Sequence, residues 1–167
     1  MSLAHFHALP TSILQVSLAA VLSSGQSFRW STIPLDSEAP PTHEYRLCLS
    51  DRVVCLRQTP ETLYYRAVYP NPQPNQSQLL LRNKETVTWL QDYFQLDTDL
   101  PSLYKEWASR DINFARLQSR FSGIRVLRQD PWECLISYVA QSYSSSHSGL
   151  IERTTASYVP LTITFRA

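Results

Sequence analysis

A chain of 167 residues that is 43% hydrophobic and 11% aromatic can bury a core as one domain, or as one domain and part of a second. Its net charge of +1 excludes a global basic field of the kind that announces nucleic acid or an anionic membrane. No apolar run is long enough to span a bilayer, which argues against a membrane partner.

The N-terminus, MSLAHFHALP, lacks the basic start and long apolar stretch of a secretory signal, so the sequence predicts an intracellular protein. Leu14, Val16 and Leu18 alternate with polar neighbours and predict a half-buried strand over 13–18. Ala19 to Leu22 predicts a helical turn before a loop at Ser23-Ser24-Gly25. Phe28 and Trp30 then alternate with Ser27 and Arg29 as on a strand, and 31–43, STIPLDSEAPPTH, reads as a Pro-rich loop. Three strands follow over 44–49, 52–58 and 62–69. Their links at Ser50-Asp51 and Thr59-Pro60-Glu61 are short enough for an antiparallel meander. Residues 70–78 read as another loop.

From Lys84 the period becomes helical. Val87, Leu90 and Phe94 share a face that ends near Leu96. Leu100, Leu103, Tyr104 and Trp107 make a second face with Asp99 as its cap, and Asp111 starts a third helix carrying Phe114, Leu117 and Phe121. Gly123 can end that helix in a left-handed conformation. In DPWE, Asp130 is an N-cap residue, Pro131 suits the first helical position, and Glu133 sits where a capping acid belongs. Trp132, Leu135, Ile136 and Val139 then form an apolar stripe, predicting a helix buried on one side. A helix near Ser148 and an alternating strand over 157–165 complete the reading. Strands first and helices afterwards predict an α+β fold.

Few constellations suggest chemistry. Cys48, Cys55 and Cys134 show no metal-ligand spacing and read as small apolar residues in a reduced compartment, so no metal and no cofactor are expected. His5, His7, His43 and His147 lie in polar, terminal or loop segments outside any triad motif. Gly25, Gly123 and Gly149 are too few and too scattered for a Walker loop or a dinucleotide fingerprint. Asp97 and Asp99 sit at a helix boundary, where capping explains them better than acid–base work. Arg29, Arg66, Arg125 and Arg128 interleave with aromatics, a pattern that can bind phosphate or stack on bases. Solvated faces and strand rims explain the same spacing more simply.

Four stretches carry a resemblance. SGQSFRW, over 24–30, resembles the signature of the N-terminal domain of the eukaryotic 8-oxoguanine DNA glycosylases. YFQLD over 93–97, LYKEW over 103–107 and FSGIRVLRQDPWECLISYVAQS over 121–142 resemble later parts of that family in the same order. The resemblance implies a twisted antiparallel sheet with helices, like that of the TATA-binding protein, followed by the first helices of an all-α helix-hairpin-helix domain. It divides the chain into an N-terminal domain over 10–122, the start of the helical domain over 123–153, and a tail over 154–167 that resembles nothing in the family.

The resemblance also implies excision of 8-oxoguanine from duplex DNA, nicking of the abasic strand, a flipped-out base and a Schiff-base lysine assisted by an aspartate. It implies duplex DNA containing 8-oxoguanine as partner, a monomer, and residence in the nucleus and also in mitochondria. Gly25 matches the glycine whose carbonyl accepts a hydrogen bond from N7–H of the lesion; guanine, with a bare N7, would set acceptor against acceptor. Where the family has asparagines entering the duplex, this chain has Tyr143-Ser144-Ser145-Ser146-His147, which leaves Ser144 and Ser145 as the DNA-contacting candidates. The segment carrying the family's catalytic lysine and aspartate has no counterpart, and the only lysines, Lys84 and Lys105, fall in other helices. The chain therefore reads as a C-terminally truncated, catalytically inactive member, with a non-catalytic DNA-binding module or a non-functional product as alternatives. Part of the 132–139 stripe is expected to stay uncovered, with solubility gained by a cut after Phe121.

Overall fold

Alternating residues separated by two- to four-residue polar turns fold back as hairpins, and the middle of the chain does so. The computed structural model describes residue 3 and residues 5–146. It contains β1 (His7–Pro10), α1 (Leu18–Leu22), β2 (Ser31–Pro34), β3 (His43–Cys48), β4 (Val53–Gln58) and β5 (Thr62–Val68). Then come α2 (Gln76–Tyr93), α3 (Leu100–Arg110), α4 (Ile112–Leu117), a 3-10 turn over Gln118–Arg120, and α5 (Pro131–Ser146). The strands form one antiparallel sheet in the order β1-β5-β4-β3-β2. The sheet-then-helices architecture, α+β, is the one expected.

The register explains the core. Tyr45 faces Leu56, which faces Tyr65, so these three side chains stand in one row across the sheet. That row and its neighbours Val54 and Leu63 pack with Val16, Leu18, Val21, Leu90, Tyr93, Phe94 and Leu127. Each large side chain fully removed from water here contributes roughly 1.5–3 kcal/mol. Residues one step along each strand point the other way, and the row Arg46–Cys55–Arg66 lies on that opposite face. There Phe6 sits between the guanidinium groups of Arg57 and Arg66, 4.5 and 5.1 Å from its ring centre. Cys55 is buried, Cys48 and Cys134 are exposed, and all three are free thiols.

Several expectations need correction. Residues 13–18 are not a strand. Ile13 and Leu14 are exposed, the backbone turns back through Val16 N to Ser12 O at 3.1 Å, and Ser17 caps α1. The backbone between Val16 and Leu18 finds its partner in a side chain: Gln58 accepts from Leu18 N at 2.9 Å and donates to Val16 O at 2.7 Å. The strand next to β5 is instead His7–Pro10. Phe28 and Trp30 precede a strand rather than belong to one, and the first four residues of the expected loop at 31–43 form β2. Pro34 closes that edge strand, where a missing N–H costs no ladder bond. Finally, α2 begins at Gln76 rather than Lys84, started by a capping box between Asn75 and Gln78. Its first turns escaped the periodicity because Leu80 and Leu81 are 67% and 60% exposed.

The later helices follow the reading closely. Asp99 caps α3 through Ser102 N, and Asp111 caps α4 through Asn113 N and Phe114 N. Tyr104, Trp107 and Phe114 interlock at ring separations of 5.4–5.7 Å. Gly123 has φ +74°, the left-handed conformation expected of it.

The chain divides after Asp130 into two units. The described part of the second is α5. Its helix is as predicted, but its apolar stripe is not buried: Trp132, Leu135, Ile136 and Val139 are 68%, 51%, 44% and 42% exposed. A cut after Phe121 would remove Leu127 from the core and Arg125 from the interior of the first unit. The position for such a cut is after Asp130. The expected helix near Ser148 and strand over 157–165, with His147, lie outside the described residues. No described helix is long and apolar enough to cross a membrane.

Candidate lesion-contact loop

Gly25 sits at the tip of the turn that follows α1. Ser23 and Ser24 prepare it: Ser23 Oγ donates to Ala19 O at 2.6 Å, and Ser24 Oγ donates to Val21 O at 2.7 Å. Both hydroxyls donate to carbonyls of the five-residue helix that precedes the turn. Gly25 then adopts φ +79°, and nothing lies within 4 Å of where a Cβ would be. The turn therefore requires glycine for its backbone conformation, while the space beside it is open. Gly25→Ala is expected to cost on the order of 1 kcal/mol, read as a lower midpoint in denaturant with an unchanged slope.

The next residue ties this turn to the distant IRVLRQ stretch. Gln26 Nε2 donates to Arg125 O at 2.7 Å and to Ser24 Oγ at 3.0 Å, while Gln26 Oε1 accepts from Leu127 N at 3.0 Å. Gln129 Nε2 donates to Gln26 O at 2.5 Å. A side-chain amide thus does for the extended 125–127 segment what a neighbouring strand would do. The rest of the motif meets YFQLD. Trp30 Nε1 donates to Tyr93 Oη at 3.0 Å, and Tyr93 Oη donates to the buried Ser27 Oγ at 3.1 Å. Three motifs separated by tens of residues therefore converge on one turn.

Arg125 is the brace beneath. It is 5% exposed and donates to Phe94 O at 2.7 Å, and also to the carbonyls of Gln95 and Thr98. Burial pushes its guanidinium below its ordinary value. Gln95 takes φ +52° in the turn so held. Gln15 braces the same turn from outside, donating to Leu96 O at 3.0 Å and Thr98 O at 2.8 Å and accepting from Leu100 N at 3.0 Å. Arg125 is thus neither a solvated residue nor a phosphate ligand. Arg128 pairs with the Asp92 carboxylate at 3.0 Å on the surface, and Arg29 donates to Cys48 O. Arg66 lies against Phe6 on the far face of the sheet.

The other candidates are placed as follows. Ser144 and Ser145 lie in the last turn of α5. Lys84 on α2 and Lys105 on α3 are exposed. Asp97 is exposed in the turn before Asp99. His7 stacks on Tyr65 at 5.3 Å, and His43 lies beside Thr42. Among the described residues, no group of three His, Cys, Asp or Glu side chains could hold a metal ion. Sequence reasoning missed Gln15, Gln26, Gln58 and Gln129. The one available signal was position: Gln26 lies inside a recognised motif, next to its glycine.

Comparison with known proteins follows the same residues. The sequence profile of the 8-oxoguanine DNA glycosylase N-terminal domain matches residues 8–135. The N-glycosylase/DNA lyase of Saccharomyces cerevisiae is 36% identical over 129 residues, 77% of this chain and 32% of the yeast protein. The Arabidopsis thaliana N-glycosylase/DNA lyase OGG1 is 28% identical over 130 residues, 77% of this chain and 31% of the plant protein. A solved structure of MBOgg1 with a low-affinity DNA ligand superposes with a TM-score of 0.59 at 26% identity, covering 82% of this chain and 40% of that one. The apo 8-oxoguanine glycosylase/lyase of Clostridium acetobutylicum shares the fold, with a TM-score of 0.56 at 24% identity over 77% of this chain and 38% of its own. The chain spans about a third of the length of the curated relatives it matches. It belongs to the 8-oxoguanine DNA glycosylase family, whose N-terminal domain it carries over residues 8–135.

Proposed function

We propose that this chain is the lesion-reading part of an 8-oxoguanine DNA glycosylase and DNA lyase acting in base-excision repair. The observation that carries the reading is the Gly25 turn: a bare, left-handed backbone with open space at its Cβ position, inside the family's motif. A flipped-out base can approach such a backbone closely enough for the carbonyl to meet N7–H of 8-oxoguanine, where guanine would present an acceptor. Related proteins have been solved with DNA, among them the Clostridium acetobutylicum enzyme with duplex DNA carrying cytosine opposite 8-oxoguanine. Duplex DNA holding this lesion is the proposed partner, and the compartments are those that hold DNA: the nucleus, and also mitochondria. In this reading residues 10–122 are the N-terminal domain and 123–153 begin the helical one. Ser144 and Ser145, at the end of α5, then lie where the chain would approach the duplex.

In this reading the Gly25 loop reads the lesion, and neither lysine of these 167 residues serves as its nucleophile. Lys84 and Lys105 lie on α2 and α3, away from the Gly25 loop in sequence and in element. Fluorescence anisotropy with an 8-oxoguanine duplex should show binding that weakens as salt rises. Borohydride trapping on the same duplex should give no covalent adduct. Absence of any binding would overturn the DNA reading, and an adduct lost on mutating Lys84 or Lys105 would overturn the non-catalytic one.

A further inference from the structure

We propose that Gln26 is a positioning residue whose side-chain amide sets the direction in which the Gly25 carbonyl is presented. Its consequence for lesion discrimination rests on the reading of Gly25 given above; its geometry does not. The Gly25 carbonyl and the Gln26 nitrogen belong to one planar peptide unit, so whatever holds Gln26 limits where that carbonyl points. No neighbour within 4 Å of the Gly25 Cβ position holds the turn from the side.

Gln26 is held at both ends of its side chain and at its own carbonyl, by Arg125 O at 2.7 Å, Leu127 N at 3.0 Å and Gln129 Nε2 at 2.5 Å. The anchor does not drift, because Arg125 is itself fixed to three carbonyls of the 94–98 turn and Leu127 is in the core. The site asks for two N–H donors, toward Arg125 O and Ser24 Oγ, and one acceptor toward Leu127 N, which a primary amide supplies. A carboxylate of the same size supplies only acceptors. Gln26→Glu would still accept from Leu127 N but would set oxygen against oxygen at Arg125 O, unless the new carboxyl carried a proton. A requirement for an amide, rather than for bulk, therefore makes a pH-dependent prediction.

The test uses the 167-residue chain and NMR from about pH 4.5 to 8, spanning the region above the ordinary glutamate value of about 4.3. The readouts are the Gly25 carbonyl carbon resonance and hydrogen exchange at the Leu127 amide. In wild type both should be insensitive to pH after correction for intrinsic exchange. Gln26→Met should shift the Gly25 resonance and speed Leu127 exchange about tenfold at every pH, the loss of one hydrogen bond. Gln26→Glu should match it at high pH and return toward wild type as the carboxyl protonates. Gln129→Met, which frees only the Gln26 carbonyl, should shift the Gly25 resonance with little change at Leu127. An unmoved Gly25 resonance in all three variants, or a Gln26→Glu defect that does not recover on acidification, would overturn the proposal. The two readings fail separately. An 8-oxoguanine duplex that leaves the wild-type Gly25 resonance unmoved would sink the lesion contact, while the variant series alone decides the role of Gln26.

Discussion

Gly123→Ala should destabilise the first unit by at least about 4 kcal/mol, at the exceptional end of single-residue effects. Two costs add. The residue has φ +74°, where a side chain is strained. A Cβ would also lie far inside contact distance of the Ile13 carbonyl oxygen and 2.7 Å from Ser17 N. Both neighbours are backbone and cannot swing away. Ser17 N also donates to Gly123 O at 2.9 Å, so relieving the clash would break the link between the start of α1 and the 121–124 turn. Against a typical domain stability of about 5–15 kcal/mol, such a loss removes a large share of the margin. Urea unfolding followed by tryptophan fluorescence would measure it. A variant within about 1 kcal/mol of wild type would show that the two segments separate easily.

Glu44→Gln should have the second large effect, about 3–5 kcal/mol, and it should vanish in acid. Glu44 is 1% exposed on the face of the sheet opposite the main core. It accepts from Arg46 Nε at 2.6 Å and pairs with Arg57, which is 8% exposed, at 2.6 and 2.8 Å. Burial alone would raise the carboxyl's pKa, but the hydrogen bonds and charges of Arg46 and Arg57 outweigh it and hold it below the ordinary value. A folded value below the unfolded one means the unfolded chain takes up protons first. The stabilisation is therefore complete above the unfolded value of about 4.3 and is lost as pH falls through the lower folded value. Thermal melts of both proteins should differ most at neutral pH and converge as the medium is acidified below that range. A gap that stays constant with pH would mean that Glu44 acts through packing alone.

What could be read from the sequence divides along physical lines. The three central strands, the caps Asp99 and Asp111, and the helix opened by Asp130-Pro131 were legible because each has a local cause: alternation, a side chain that reaches its own helix end, a ring that presets φ. The 13–18 segment misled because Leu14, Val16 and Leu18 alternate by coincidence, while a glutamine from β4 holds the backbone. The start of α2 was missed because Leu80 and Leu81 point to solvent and break the core pattern. Arg125 illustrates the limit most clearly. Its type and spacing allow phosphate and favour a solvated face, yet its charge is spent on carbonyls about thirty residues back in the chain, a fact that exists only in three dimensions. Gly25 and its motif were recognisable, but the amide clamp that aims the loop was not, since a glutamine has no periodic or charge signature.

The proposed reading of the lesion by the Gly25 backbone is tested by one comparison. The chain would be joined to the remaining length of the Saccharomyces cerevisiae relative, and excision rates measured for 8-oxoguanine and for a lesion lacking a protonated N7. Gly25→Ala should lower kcat/KM for 8-oxoguanine about tenfold to a hundredfold more than for the other lesion, the range of one hydrogen bond lost at a desolvated base. Equal losses on both lesions would show that the glycine only shapes a turn, and the lesion-reading role would have to be withdrawn.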